Sequence, residues 1–458
     1  MLTKLSLKNF KSWQVIRDMR LAPITGLFGI NSSGKTSLIQ FFLMLKQTVD
    51  SPDRAQVLNL GDERSLVSLG TFSEIIHQHS KPGQLTCHFA WTLPKEMKIR
   101  DPGKVGILFK GREMEFSVDI TENGSGRMIV NKIEYGFGGY NFELKRKSEK
   151  EGKYTLQARP DTFRFLRTQG RPWDLPGPVK CYGFPDQVKA YYQNAGFLAD
   201  LELAFEQLFS RIYYLGPLRD YPKRQYTWAG AHPADMGERG EKAVDALLAS
   251  RERGEKISRG KGRQRLSLEE YVAWWLRELN LIYDFSVEAI TKDSNLYRVM
   301  VRKTPKSTRV LITDVGFGVS QLLPVLVLCY YVPQGATIFL EQPELHLHPS
   351  VQASLADVFI DVAKNRNVQI ILESHSEHLL RRLQRRIAEE KISPDDAALY
   401  FCDMKEGTSK LRTLELDLFG NIINWPKNFF GDEFGEMAAM TRAAMERKKA
   451  GQSRNRLW

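Results

Sequence analysis

Leu2, Leu5 and Leu7 are spaced among Thr3, Lys4 and Ser6 in a near two-residue rhythm, which predicts a half-buried strand over residues 2–7. Pro23-Ile24-Thr25-Gly26-Leu27-Phe28 is apolar enough for a short strand buried on both faces, and residues 36–43 predict the opening of an apolar helix. Residues 84–156 form a run of alternating, β-rich segments with turn breaks, including residues 85–91, 115–120 and 128–130. Asn123-Gly124-Ser125-Gly126 predicts a hairpin turn between the last two. Residues 160–185 are rich in proline, glycine and aromatics and predict irregular structure, and residues 187–208 return to helical spacing.

Residues 212–220 read as a strand running into a loop that carries Arg219. Ser267-Leu268-Glu269-Glu270 is a capping box that should start a helix through Leu281. Strands resume over residues 285–290 and 297–301; a helix is expected over residues 322–330. Residues 337–344 and 368–375 are buried-strand runs ending in polar and acidic residues, and the segment from Thr441 has a basic, helical pattern.

Composition narrows the class. At 458 residues, 42% hydrophobic and 26% charged, the chain has an ordinary globular balance and length for two or three domains, or one domain with a large insertion. The net charge of +12 is compatible with an anionic partner such as nucleic acid and equally with a solvated basic surface. Four scattered cysteines without a C-x-x-C pair point to a reducing compartment and away from a disulfide framework or zinc site. The start is not signal-peptide-like, and the longest apolar run, residues 322–332, contains Pro324 and is too short to cross a bilayer. A cytoplasmic location without a membrane domain is expected. In residues 251–265 seven of fifteen are Arg or Lys, with three glycines, which predicts a flexible basic loop: a nucleic-acid contact or a solvated linker.

Gly29-Ile30-Asn31-Ser32-Ser33-Gly34-Lys35-Thr36 meets every fixed position of the phosphate-binding pattern G-x-x-x-x-G-K-[ST], between a predicted strand and a predicted helix. Its glycines would let backbone N–H groups form an anion nest at a helix N-terminus, with Asn31, Ser32, Ser33, Gly34 and Ser37 around the phosphates. Lys35 would reach the β- and γ-phosphates of ATP and the Thr36 hydroxyl would bind Mg²⁺. Glu341 ends a buried strand expected to lie beside the loop, the place of a second Mg²⁺ ligand. The gap from Lys35 to Glu341 covers about two thirds of the chain, so a large insertion is expected inside the nucleotide domain. His375, after the next buried strand, is placed to contact the γ-phosphate as a switch. Gly316 and Gly318, within Asp314-Val315-Gly316-Phe317-Gly318-Val319-Ser320-Gln321, offer N–H groups ahead of a helix. One chain seldom folds two such elements onto one phosphate, so a head-to-tail dimer is the natural arrangement. Trp13 or Phe10 could stack on adenine or pack in the core; Phe72-Ser73-Glu74 could sense the γ-phosphate or be a connecting turn.

These residues resemble the ABC-type ATPases of the SMC and OLD (overcoming lysogenization defect) kind, and more narrowly bacterial stand-alone OLD-like AAA proteins. The matching blocks are Lys8-Asn9-Phe10-Lys11-Ser12, the phosphate loop, Tyr214-Leu215-Gly216-Pro217-Leu218-Arg219, residues 316–321, residues 341–349 and residues 373–377. A further block, residues 420–432, resembles the C-terminal part of a subfamily of undefined function. The implied fold is α/β: a P-loop NTPase of the ABC type with a large β-rich and helical insertion between the Walker A loop and the signature loop. Residues 1–83 would begin the ATPase domain, 84–210 form a β-rich arm and helical insertion, 211–303 lead back, 304–440 complete the core and 441–458 be a basic tail.

The resemblance implies Mg-ATP held at a dimer interface by Lys35, Thr36 and Glu341, with His375 as switch. It also implies work in antiphage defence beside a separately encoded nuclease or other effector. Three departures stand out: the signature serine is replaced by Gly316, the water-activating glutamate by Gln342, and the sensing-loop glutamine has no clear counterpart. An amide is no general base, so turnover should be slow unless Glu344 takes that role. The competing class is an SMC-like DNA clamp, which would want a long heptad arm; a transporter ATPase fits less well still. The arginine face of Arg381, Arg382, Arg385 and Arg386 is open to nucleic acid, protein or solvent.

Overall fold

The apolar run ahead of the phosphate loop becomes the strand Ile24–Gly29, well inside a six-stranded sheet. The sheet order is Thr408–Leu414, Ala397–Lys405, Ile24–Gly29, Gln369–Glu373, Thr337–Glu341, Ile212–Leu215. All neighbours run parallel except the outer pair Ala397–Lys405 and Thr408–Leu414. Parallel strands need cover on both faces, which is why these segments read as continuous apolar runs. Alternation sends Phe339, Ile371, Ala398 and Tyr400 into one core, and Ile338, Leu340, Ile370, Leu372 and Leu399 into the other. This computed structural model describes residues 1–100, 106–147, 152–170, 174–260, 262–291, 294–426, 437 and 439–445.

The first core holds the helices Lys35–Asp50 and Leu198–Ser210 and a seven-stranded antiparallel sheet. The β-rich stretch continues that sheet from the amino-terminal hairpin: Gln84–Arg100 runs along Leu2–Phe10, with Leu5 opposite Phe89 and Leu7 opposite Cys87. Phe42 joins the layers, stacked on Phe339 at 5.3 Å between ring centres and 6.2 Å from Phe89. The predicted hairpin turn is present, its Asn123 Oδ1 accepting from the N–H groups of Ser125 and Arg127.

The second core is built from the helices Ala243–Glu252, Leu268–Glu278, Phe317–Tyr331, Pro349–Arg366 and Glu377–Ala388. The capping box forms as expected, Ser267 Oγ accepting from Glu270 N and Glu270 Oε2 from Ser267 N. Two expectations change. The helix expected over residues 322–330 begins at Phe317, because burial of Val319 to Tyr330 outweighs the poor helix propensity of Gly318 and Pro324. The basic stretch 251–265 is no open loop: Lys256–Ile257 pairs antiparallel with Leu266–Ser267, pinned by the buried Ile257. Lys261, the block residues 427–432 and the tail residues 446–458 lie outside the described residues, while residues 441–445 are helical. Among the described residues, no helix is long and apolar enough to cross a membrane.

Candidate functional site

The phosphate loop leaves the carboxyl end of Ile24–Gly29 and enters the helix Lys35–Asp50. Gly29 (φ 136°) and Gly34 (φ 91°) both need glycine's backbone freedom. A Cβ at Gly29 would lie 2.0 Å from Cys402 O, and one at Gly34 2.5 Å from Ser409 Oγ and 2.6 Å from Ser12 Oγ. Trp13 Nε1 donates to Gly34 O at 2.9 Å. Trp13 and Phe10 are fully buried, so neither offers a face to adenine; both are core, and Trp13 also pins the loop. Asn31 and Ser32 are exposed at the tip, Ser37 is half-buried and Ser33 is buried.

Lys35 is buried, donating to Gly29 O (3.1 Å) and Ile30 O (2.7 Å) and lying 3.8 Å from Glu373 Oε1. Thr36 Oγ1 donates to Glu373 Oε2 at 2.7 Å. The strand expected beside the loop, ending in Glu341, is one place further out: Gln369–Glu373 lies between them. Glu341 and Glu373 are register partners on adjoining parallel strands, so both acids stand at the same end of the sheet. Burial, then the charge of Glu373, pushes Glu341 up to about 7. Burial likewise raises Glu373 against the opposing pull of Thr36 and Lys35, while burial lowers Lys35. Tyr214 donates its hydroxyl to Glu341 Oε1 at 2.9 Å.

The turn after Glu341 is bound on two sides. Gln342 has φ 43° and donates its N–H to Glu373 O at 2.9 Å. The buried Arg219 donates to Glu341 O (3.2 Å) and Gln342 O (3.3 Å); desolvation lowers its pKa to about 10. Glu344 Oε1 accepts from Ser374 Oγ (2.7 Å) and His375 N (2.8 Å). Glu344 Oε2 is buried without a hydrogen-bond partner. Glu344 thus clasps the loop after one strand to the loop after the next, a positioning geometry rather than that of a base open to water. His375 presents its ring at the surface, and partial desolvation and the Lys35 charge push its pKa down.

Gly316 and Gly318 lie elsewhere, at the start of the helix Phe317–Tyr331. A Cβ at Gly316 would meet nothing within 4 Å, and one at Gly318 only His346 O and Leu347 Cδ2, both at 3.6 Å, so the chain's own phosphate loop does not reach them. Phe72-Ser73-Glu74 forms a short capped turn in which Glu74 accepts from Thr71 N and Thr71 Oγ1. On the arginine face, Arg382 and Arg386 pair with Asp357, Arg385 with Glu389 and Arg381 with Glu377.

Glu373, Tyr214 and Arg219 are the site residues to which sequence reasoning gave no role. Glu373 had a readable signal, since it ends an apolar run as Glu341 does. The residues fit Mg²⁺ and a triphosphate. Thr36, Glu341 and Glu373 offer the all-oxygen donor set that Mg²⁺ prefers. Two neighbouring carboxylates both pushed up by burial, one of them further by the charge of the other, are the condition a dication relieves.

Residues 267–380 match the family model of the AAA ATPase domain, a nucleotide-binding domain, and residues 392–440 that of a protein of unknown function (DUF3696). No curated protein matches the chain. Among solved structures, the chain is similar to an Smc head bound to the C-terminal winged-helix domain of ScpA. Identity is 11% over 91% of this chain and 98% of that one, with a TM-score of 0.46. An SMC head domain from Thermotoga maritima shows 12% identity over 90% and 99%, with a TM-score of 0.40. An Smc head with an extended coiled coil, bound to the C-terminal domain of ScpA derived from Pyrococcus furiosus, shows 11% over 91% and 96%, with a TM-score of 0.40. With its glycine-built phosphate loop between a buried strand and a helix, and its mainly parallel sheet, the chain has the α/β fold of a P-loop NTPase of the ABC type.

Proposed function

We propose that this chain is a regulatory ATPase that closes head-to-tail with a second copy around Mg-ATP, hydrolyses it slowly and controls a separately encoded effector, a nuclease, in antiphage defence. The observation that carries the ATPase reading is the convergence of Lys35 and Thr36 on Glu373, with Glu341 alongside, at the carboxyl end of a parallel sheet. The defence setting rests on the resemblance of the motif blocks to OLD-like proteins. Residues 1–83 and 304–440 make up most of the nucleotide domain in this reading, with 84–210 inserted, 211–303 giving the sheet its strand Ile212–Leu215 before the basic loop and helical insertion lead back to the core, and 441–458 as a tail.

Lys35 and the loop N–H groups bind the phosphates. Thr36 and Glu341 hold Mg²⁺, which when bound would neutralise phosphate charge. His375 reports the γ-phosphate, and Glu344 and Arg219 hold the two loops in register. Gly316 and Gly318 serve the nucleotide of the other copy. The open space over Gly316 supports this, because its φ of −56° and free surroundings place no demand for glycine within its own chain.

Gly316→Arg tests the arrangement. The variant is expected to melt as the wild type does and to bind ATP as a monomer, but to lose ATP-dependent dimerisation in light scattering and to lose turnover. Dimerisation at wild-type ATP concentration would overturn the head-to-tail reading. Gln342→Glu supplies the missing base and is expected to raise steady-state turnover by about 100-fold, within the range of general base catalysis. An unchanged rate would remove position 342 from the chemistry.

A further inference from the structure

At the amino ends of the central strands, opposite the phosphate loop, lies a cavity of about 560 Å³. Its walls come from Tyr213 at the start of one strand, Pro333 and Gln334 before the next, and Arg366 at the end of a helix. The basic ribbon closes it with Arg253, Lys256 and Arg265. Four cations therefore face one carboxylate, Glu255. Five-residue strands separate this cavity from the carboxyl-end acids by roughly 15 Å, so it is no part of the phosphate-loop site.

We propose that this cavity binds a phosphate-bearing nucleotide, either free or as part of a single strand of nucleic acid. Its cations are not all spent within the fold. Arg253 is engaged by Glu255 at 3.0 Å and lies over the Tyr331 ring, but the side chains of Lys256 and Arg265 have no ion pair or hydrogen bond among the described residues. Arg366 donates through Nη2 to Val332 O, and its buried Nε has no partner. The Tyr213 and Tyr331 rings lie among these charges, the mix of aromatic and cationic side chains that single strands and nucleotides use. The volume suits one nucleotide unit.

The walls are preorganised. Tyr330, which lines the cavity, donates to Asp361 Oδ2 at 2.7 Å and Tyr271 to the same oxygen at 2.8 Å. Asn365 donates to Asp361 Oδ1 at 2.7 Å, and Arg259 caps the Trp274 ring at 4.0 Å to hold the ribbon. A site formed in advance loses little entropy on binding.

The test uses full-length Lys35→Ala protein, to silence the phosphate loop, with a fluorescein-labelled twelve-nucleotide oligo-dT in fluorescence anisotropy. Binding is expected at low salt, weakening with a log–log salt slope of about −0.7 to −1.4, as one to two phosphate contacts on a single strand require. Lys256→Glu/Arg265→Glu is expected to weaken it at least tenfold with an unchanged melting temperature; Lys256→Gln/Arg265→Gln, a milder change, should weaken it about threefold. Competition by AMP would identify a free nucleotide as sufficient, and failure of AMP to compete would identify the strand as the ligand; either outcome upholds the site. The proposal falls if neither probe binds, if both double variants bind like their parent, or if a poly-glutamate peptide of equal charge competes as well as the DNA.

Discussion

Lys35→Ala is expected to weaken ATP binding by at least about 100-fold and to abolish ATP-dependent self-association. The ammonium is buried, donates to the loop's own Gly29 and Ile30 carbonyls and balances Glu373 at 3.8 Å, so its loss removes both phosphate charge pairing and the contacts that shape the loop. One partner of a buried pair would then be left alone, and Glu373 would take up a proton rather than remain a bare carboxylate. Isothermal titration with Mg-ATP, and light scattering with and without ATP, read the two effects. Unchanged affinity and unchanged association would refute the assignment of this loop to triphosphate.

Glu341→Gln should have two separable consequences. Turnover is expected to fall by about 100-fold or more, because an amide is a poor ligand for Mg²⁺ beside Thr36. Stability without metal should move the other way. The folded protein holds the Glu341 proton up to about pH 7, above the ordinary 4.5, so the wild type loses stability as pH climbs between those values and has lost this contribution fully above pH 7. That loss amounts to at most about 3 kcal/mol for a shift of this size. Glutamine can still accept from Tyr214 and carries no charge to bury. Urea denaturation in EDTA should show the variant more stable than the wild type at pH 8 and equal to it near pH 4. Parallel curves at the two pH values would mean that the charge on Glu341 is not buried at a cost.

The two halves of the site differed in how readable they were. The phosphate loop is local: eight consecutive residues carry its glycines, lysine and threonine, and the strand and helix around it show their periods. Glu341 and Glu373 each end an apolar run, yet nothing local says which run lies beside Ile24–Gly29. Sheet order settles it, through pairings of Leu372 with Gly26 and Glu373 with Leu27 across more than three hundred residues of chain. Glu344 is similar. Its spacing from Glu341 made it a candidate base, while its hydrogen bonds to Ser374 and His375 N, made across the turn, make it a clasp.

Residues 84–156 were legible as β-rich but not as a continuation of the amino-terminal hairpin, because period reports that a strand exists and not its partner. The basic stretch 251–265 read as a flexible loop by composition; the buried Ile257 and the pairing of Lys256 with Ser267 turned it into the wall of a cavity.

What the amino-acid order settled by itself is the short-range chemistry: a nest for phosphate, acids at strand ends, a capped helix. Those features depend on residue type at fixed spacing, and they would form in any fold that tolerates the segment. Which acids meet the lysine, which loops are tied together and where cations gather unpaired were decided only in three dimensions. Strand pairing and side-chain burial join residues hundreds of positions apart, and their free energy depends on the whole packed sheet.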